Sequence, residues 1–148
     1  MTARLVLDTN TVLALWMFCD PRLAPLRAFI EDGRCSLHGR TDALGELRLV
    51  LAYPPFGVEP DTQAALHDAY RARLNLLADA PPADAAPLPA CRDSDDQKFL
   101  EIARDAGASH LITRDKALLK LARHRLVRER FAVLTPERFV AQLADNDN

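Results

Sequence analysis

At 148 residues and 49% hydrophobic, the chain can bury the core of one ordinary domain and is too short for two. Its three cysteines, Cys19, Cys35 and Cys91, are odd in number and widely spaced, which argues against a disulfide framework and fits small core residues in a reducing cytosol. The formal charge of −2 excludes no partner, but no apolar run approaches the roughly 20 residues that span a bilayer and no basic leader precedes the first strand, so a cytoplasmic protein without membrane contact is expected.

In chain order, Leu5 to Leu7 is a short apolar strand ending in Asp8, and a helix from Thr11 to Phe18 follows almost at once. Asp20-Pro21 opens a second helix, interrupted or restarted at Pro25 and running to about Asp32-Gly33. Cys35 to Leu37 reads as a strand. Thr41 or Asp42 can cap a helix carrying Leu44, Leu47, Val50 and Leu51, which stops at Tyr53-Pro54-Pro55. From Asp61 to Ala78 the helical spacing returns, with Leu66, Tyr70, Leu74 and Leu77 on one side. Ala80 to Ala90 is a proline- and alanine-rich loop. Ser94 followed by Gln97 is a capping-box signature for a helix that Gly107 ends. Leu111 to Thr113 is the next strand, Lys116 to about Ala122 a short helix, and Ala132 to Leu134 the last strand. Thr135 caps a final helix to about Ala144, beyond which Asp145 to Asn148 read as frayed. Strands alternating with helices imply right-handed parallel crossovers, an α/β fold with a central parallel sheet covered on both faces.

Ligands of an open parallel sheet bind beyond the carboxyl ends of its strands. Asp8 closes the first strand, Asp96 sits in the first turn of its helix, and Asp115 follows the strand Leu111 to Thr113, so three distant carboxylates map to one edge. Asp96 also shares the apolar stripe of Phe99, Leu100 and Ala103, where an acid needs a compensating partner. Each acid has a plainer reading. Asp8 and Asp115 can be helix caps, and Asp93 and Asp95 can be exposed acids favouring a helix dipole. Capping explains each separately; a shared cation explains why they coincide. Hard oxygen donors suit Mg²⁺ or Mn²⁺, and the scattered histidines His38, His67, His110 and His124, read mostly as surface residues, do not make a zinc site.

Charge is unevenly spread. From Arg114 to Arg130 there are seven basic residues against two acids, an excess of five that suits a phosphate backbone, with Arg114, Lys116, Lys120 and Arg123 as the candidate contacts and His124 beside them. Arg40, Arg48 and Arg92 lie near the acidic edge in sequence terms. The run Trp16-Met17-Phe18 is either core or, if exposed, a partner contact.

Asp8-Thr9-Asn10 after a first strand, Glu46 on an early helix, Asp93-Ser94-Asp95-Asp96 leading into Lys98-Phe99-Leu100, and Thr113-Arg114-Asp115 after a late strand together resemble the PIN-domain family. The likeness runs from Leu5 to about Val140 and is strongest to the branch of bacterial toxin–antitoxin toxin components, the VapC-like ribonucleases. The resemblance implies a Rossmann-like three-layer α/β/α sandwich over residues 1–148, with Asp8, Glu46, Asp96 and Asp115 as catalytic and metal-binding acids and Asn10 and Thr113 supporting them by hydrogen bonds. Glu46 enters only through this likeness. Gly45 beside it weakens the helix, and Asp42 is a substitute ligand on the same element.

The expected activity is metal-dependent hydrolysis of RNA phosphodiester bonds by an endoribonuclease using Mg²⁺ or Mn²⁺. As implied by the resemblance, the partners would be RNA, a cognate antitoxin protein and a second copy of the chain in a homodimer. A housekeeping RNA-processing nuclease would need the same acids. A non-catalytic scaffold binding RNA or a partner is a further reading, and an aspartyl phosphotransfer protein another, although Asn10 stands where the phosphatase type carries its second aspartate.

Overall fold

A strand that is apolar at every position must be covered on both faces, and Leu5, Val6 and Leu7 meet that demand at the centre of a sheet. The computed structural model describes residues 2–146. Its strands are β1 (Ala3–Leu7), β2 (Cys35–Gly39), β3 (Leu74–Leu76), β4 (His110–Ile112) and β5 (Ala132–Leu134). They are all parallel, in the order β3-β2-β1-β4-β5. The helices are α1 (Thr9–Trp16), α2 (Ala24–Glu31), α3 (Thr41–Leu51), α4 (Pro60–Arg73), α5 (Gln97–Ala106), α6 (Lys116–Leu119), α7 (Arg125–Arg128) and α8 (Pro136–Asn146).

Side-chain alternation along the strands splits the interior into two layers. Leu5, Leu7, Ile112 and Leu134 pack with α1 to α4 and α8, including Leu15, Leu26, Leu47 and Phe139. Val6, Leu111 and Val133 face the other way, against Phe99, Leu100 and Ile102 of α5 and against Leu118 and Val127. The result is the three-layer α/β/α sandwich. From β1 the chain winds outward to β2 and β3, then returns through α5 to β4 on the opposite side of β1. That reversal makes the β1/β4 boundary the topological switch point, where parallel sheets open a crevice at their carboxyl edge. Register pairs Leu7 with Ile112, so the residues after them, Asp8 and Thr113, leave the sheet side by side.

Several elements differ from the sequence expectation, each for a local reason. Helix α1 begins two residues early because Asp8 is its cap, with Oδ1 accepting the Thr11 N–H at 3.0 Å. Asp20 caps a 3-10 turn, Pro21–Leu23, and the α-helix restarts at Ala24. Neither Thr41 nor Asp42 caps α3, whose N-cap position is Arg40. The helix expected to reach Ala78 ends at Arg73, and Leu74–Leu76 becomes edge strand β3 because Leu74 pairs with Leu37. Ser94 forms no capping box. Asp93 caps a 3-10 turn, Ser94–Asp96, while Gln97 bonds back to Cys91 N–H and Pro89 C=O. The helix expected from Lys116 to Ala122 stops at Leu119, and a separate turn, α7, is capped by His124.

Cys91 is buried and Cys35 half-buried, but Cys19 is exposed, so it is no core residue. His38 and His67 are buried rather than on the surface. Asp145 and Asn146 close α8 as helix, and the rest of the tail expected to fray, Asp147 and Asn148, lies outside the described residues. No helix among the described residues is long and apolar enough to cross a membrane.

Candidate active site

Asp8 is 4% exposed and leaves the sheet at the end of β1 with both carboxylate oxygens engaged. Its Oδ1 accepts from Thr11 N–H at 3.0 Å and from the Thr11 hydroxyl at 2.6 Å; its Oδ2 accepts from the Thr113 hydroxyl at 2.5 Å. Burial pushes the Asp8 carboxyl above its ordinary value, with the donors from Thr11 and Thr113 working against that rise. Thr113, fully buried after β4, also accepts the Asp115 N–H at 2.9 Å, so one hydroxyl ties two acids together.

Asp115 caps α6, with Oδ1 accepting from the N–H groups of Ala117 at 2.8 Å and Leu118 at 3.2 Å. Asp96, at the N-cap position of α5, approaches from the opposite side. Burial first, then the charges of Asp115 and Asp93 and a hydrogen bond with the Asp115 carboxyl, raise Asp96 to about 7. Capping and clustering are therefore not alternatives for Asp115: it does both. Glu46 reaches in from α3, its Oε2 accepting from the Thr9 hydroxyl and its Oε1 paired with Lys98 Nζ at 3.0 Å.

These four acids line one cavity of about 160 Å³, together with Thr9 and Asn10 and with Val50 and Phe99 as an apolar wall. Two larger grooves, about 220 and 300 Å³, lie between α3 and α4, where Arg48, His67 and Asp68 line both and none of the four acids takes part. The smaller cavity is the chemically loaded one. Among the described residues no group of three or more acidic, histidine or cysteine side chains is arranged to hold a metal ion; the oxygens of these acids are turned to threonine hydroxyls, helix N–H groups and an ammonium. The donor set nonetheless fits a hard divalent cation. It is all oxygen, and carboxyls held above their usual range mark a site short of positive charge.

Of the two residues expected to support the acids, Thr113 does so. Asn10 is exposed at the cavity, and the hydroxyl donors to the acids are those of Thr9, Thr11 and Thr113. Asp42 turns away and binds buried Arg40 at 2.9 and 2.8 Å, with Glu101 also on that guanidinium at 3.0 Å. It is therefore no substitute for Glu46. Thr9 and Lys98 stand in the motifs of the sequence reading, and Thr11 at its first helix, without a role at the site, although two hydroxyls flanking Asn10 directly after Asp8 were a visible signal.

The basic residues divide. Arg114 is committed to protein carboxylates, with Nε donating to Glu137 at 2.7 Å and Nη2 to Asp20 at 3.2 Å, which ties the chain after β4 to α8 and removes it as a ready phosphate contact. Lys116, Lys120 and Arg123 are exposed, with no ion pair found for them among the described residues. His124 spends Nδ1 on the Leu126 N–H at 3.2 Å. Arg48 lines the α3/α4 grooves rather than the acidic cavity.

Comparison with protein-family models finds the PIN domain matching residues 4–117, a stretch from β1 into α6 that includes all four acids. Comparison with curated proteins and with solved structures finds no match.

Proposed function

The chain belongs to the PIN-domain family, whose members are generally nucleases, and from that premise we propose that it is an endoribonuclease dependent on Mg²⁺ or Mn²⁺. The observation that carries the proposal is the meeting of Asp8, Glu46, Asp96 and Asp115, from four separate segments, around one cavity at the switch point of the sheet. Asp8 and Asp115 would hold the cation from the ends of β1 and β4, Asp96 from the start of α5 and Glu46 from α3. When bound, the cation supplies charge neutralisation at the phosphate and acidity toward water. Thr11 and Thr113 fix the Asp8 carboxylate, so that it needs no reorganisation when charge develops nearby. Asp96 retains a proton at its carboxyl up to about pH 7 in the metal-free protein and must release it to ligate. Val50 and Phe99 shield one wall from water. Lys116, Lys120 and Arg123 would guide the RNA backbone.

The finer reading is the toxin of a bacterial toxin–antitoxin pair, acting in the cytoplasm, opposed by an antitoxin protein and assembling as a homodimer. Its motifs support this, as does an exposed aromatic patch: Phe18 is 59% and Tyr53 53% exposed, with Phe56 edge-on to both. Light scattering should show twice the chain mass, and growth arrest on expression should be relieved by the matching antitoxin; a harmless monomer would return the protein to the housekeeping reading.

Activity is tested on mixed RNAs with added Mn²⁺. The wild-type protein should cleave internally, and Asp8→Asn and Asp96→Asn should each lose about 100-fold or more in rate. Cleavage surviving in the double variant would remove the proposed site.

A further inference from the structure

Among the described residues, Glu46 is the one acid of the cluster that an ammonium already neutralises. Lys98 follows Asp96 by two residues in the first turn of α5, so the turn that aims Asp96 also sets a positive charge beside the cavity. Its Nζ is 3.0 Å from Glu46 Oε1, donates to the Asp95 carbonyl, and lies 5.3 Å from the centre of the Phe99 ring. Side-chain exposure is only 17% for Lys98 and 28% for Glu46. An ion pair between two freely solvated side chains contributes little. Here a carboxylate, a carbonyl and a ring face hold the ammonium in one place, while Thr9 holds the second Glu46 oxygen.

We propose that Lys98 is a built-in counter-ion that competes with the divalent cation for Glu46 and so sets how tightly the acid cluster binds metal. This rests on the metal-dependent reading above and adds a positioning residue to it. A cation entering the cavity must either take Glu46 from Lys98 or bind beside a pair that is already neutral. In both cases the fixed ammonium opposes it. Without metal, the same ammonium keeps Glu46 from adding its charge to Asp8, Asp96 and Asp115.

The test is calorimetric titration of Mn²⁺ into the full chain without RNA. Lys98→Met should bind Mn²⁺ roughly three- to tenfold more tightly than wild type. Lys98→Arg, which keeps the charge, should stay near wild type, and the gain from Lys98→Met should shrink in a Glu46→Gln background. Lys98→Gln serves if the Met variant fails to fold. Unchanged or weaker binding on loss of the charge would overturn the assignment, as would an undiminished gain without Glu46. If either occurs while wild type still binds Mn²⁺ and cleaves RNA, the endoribonuclease reading stands and only the role of Lys98 falls. Absence of Mn²⁺ binding in every variant would overturn both.

Discussion

Thr113 Oγ1 sits 2.5 Å from Asp8 Oδ2, with Thr113 fully buried, and its removal leaves a buried carboxylate short of one donor. Thr113→Val should therefore cost about 1–3 kcal/mol in urea-melt stability, and Thr113→Ser distinctly less. Equal losses would mean that the methyl group matters as much as the hydroxyl. Asp96 supplies the pH dependence. The folded protein keeps its proton to about pH 7, against a reference value of 3.8, so folding takes up a proton between those values. The associated stability is complete below the lower value and is lost as pH rises through the upper one. Metal-free wild type should thus lose melting temperature relative to Asp96→Asn between about pH 5 and about pH 8; parallel profiles would contradict the shift. Asp42, held below its usual range by its hydrogen bonds from Arg40, acts oppositely and loses its contribution as pH falls. At this scale the sequence disclosed Asp8, Asp96 and Asp115 because strand ends and an apolar helix stripe flagged them. Thr9 and Lys98 were hidden, since their partner Glu46 is 37 residues from Thr9 and no periodicity joins a hydroxyl to a distant carboxylate.

Two glycines show how elements obey different limits. Gly45 lies inside α3, and a Cβ there would meet nothing within 4 Å, so the residue only weakens the helix. Gly45→Ala should stabilise the protein by about 0.5–1 kcal/mol in the same melt. Gly39 ends β2, where a Cβ would stand 2.8 Å from Leu74 Cδ1. Leu74 Cδ1 is the end of a half-buried side chain that can turn aside, so Gly39→Ala should cost no more than about 1 kcal/mol, and combining it with Leu74→Ala should give less than the sum of the single losses. Additive losses would show that the two residues do not compete for space. Leu74 also explains why β3 was illegible. Leu74 and Leu77 continue the spacing of Leu66 and Tyr70, so a helical pattern persists in the sequence, and only pairing with Leu37 ends it. Strands β1, β4 and β5 were readable because each short apolar run is closed at once by a polar residue, Asp8, Thr113 or Thr135, which keeps it below helix length. The break between α6 and α7 was not, because His124 is an uncommon capping residue.

Across the whole molecule, positive charge is concentrated after β4 while the cavity is acidic, so the proposed endoribonuclease would hold its RNA at one region and cut it at another. Binding of a non-cleavable single strand should weaken with salt, and replacing Lys116, Lys120 and Arg123 by alanine should flatten the log–log slope by about 0.7 for each residue that touches a phosphate. An unchanged slope would take the patch out of RNA binding. Central placement of β1 has another effect, on timing. Asp8 and Thr113 are 105 residues apart in the chain, and the segments carrying Asp96 and Asp115 are made long after β1 to β3. A polypeptide still emerging from the ribosome has the first half of the acid cluster without the second. Until β4 docks against its far older neighbour the cluster is incomplete, so a copy terminated before Asp96 carries only Asp8 and Glu46 of the four acids.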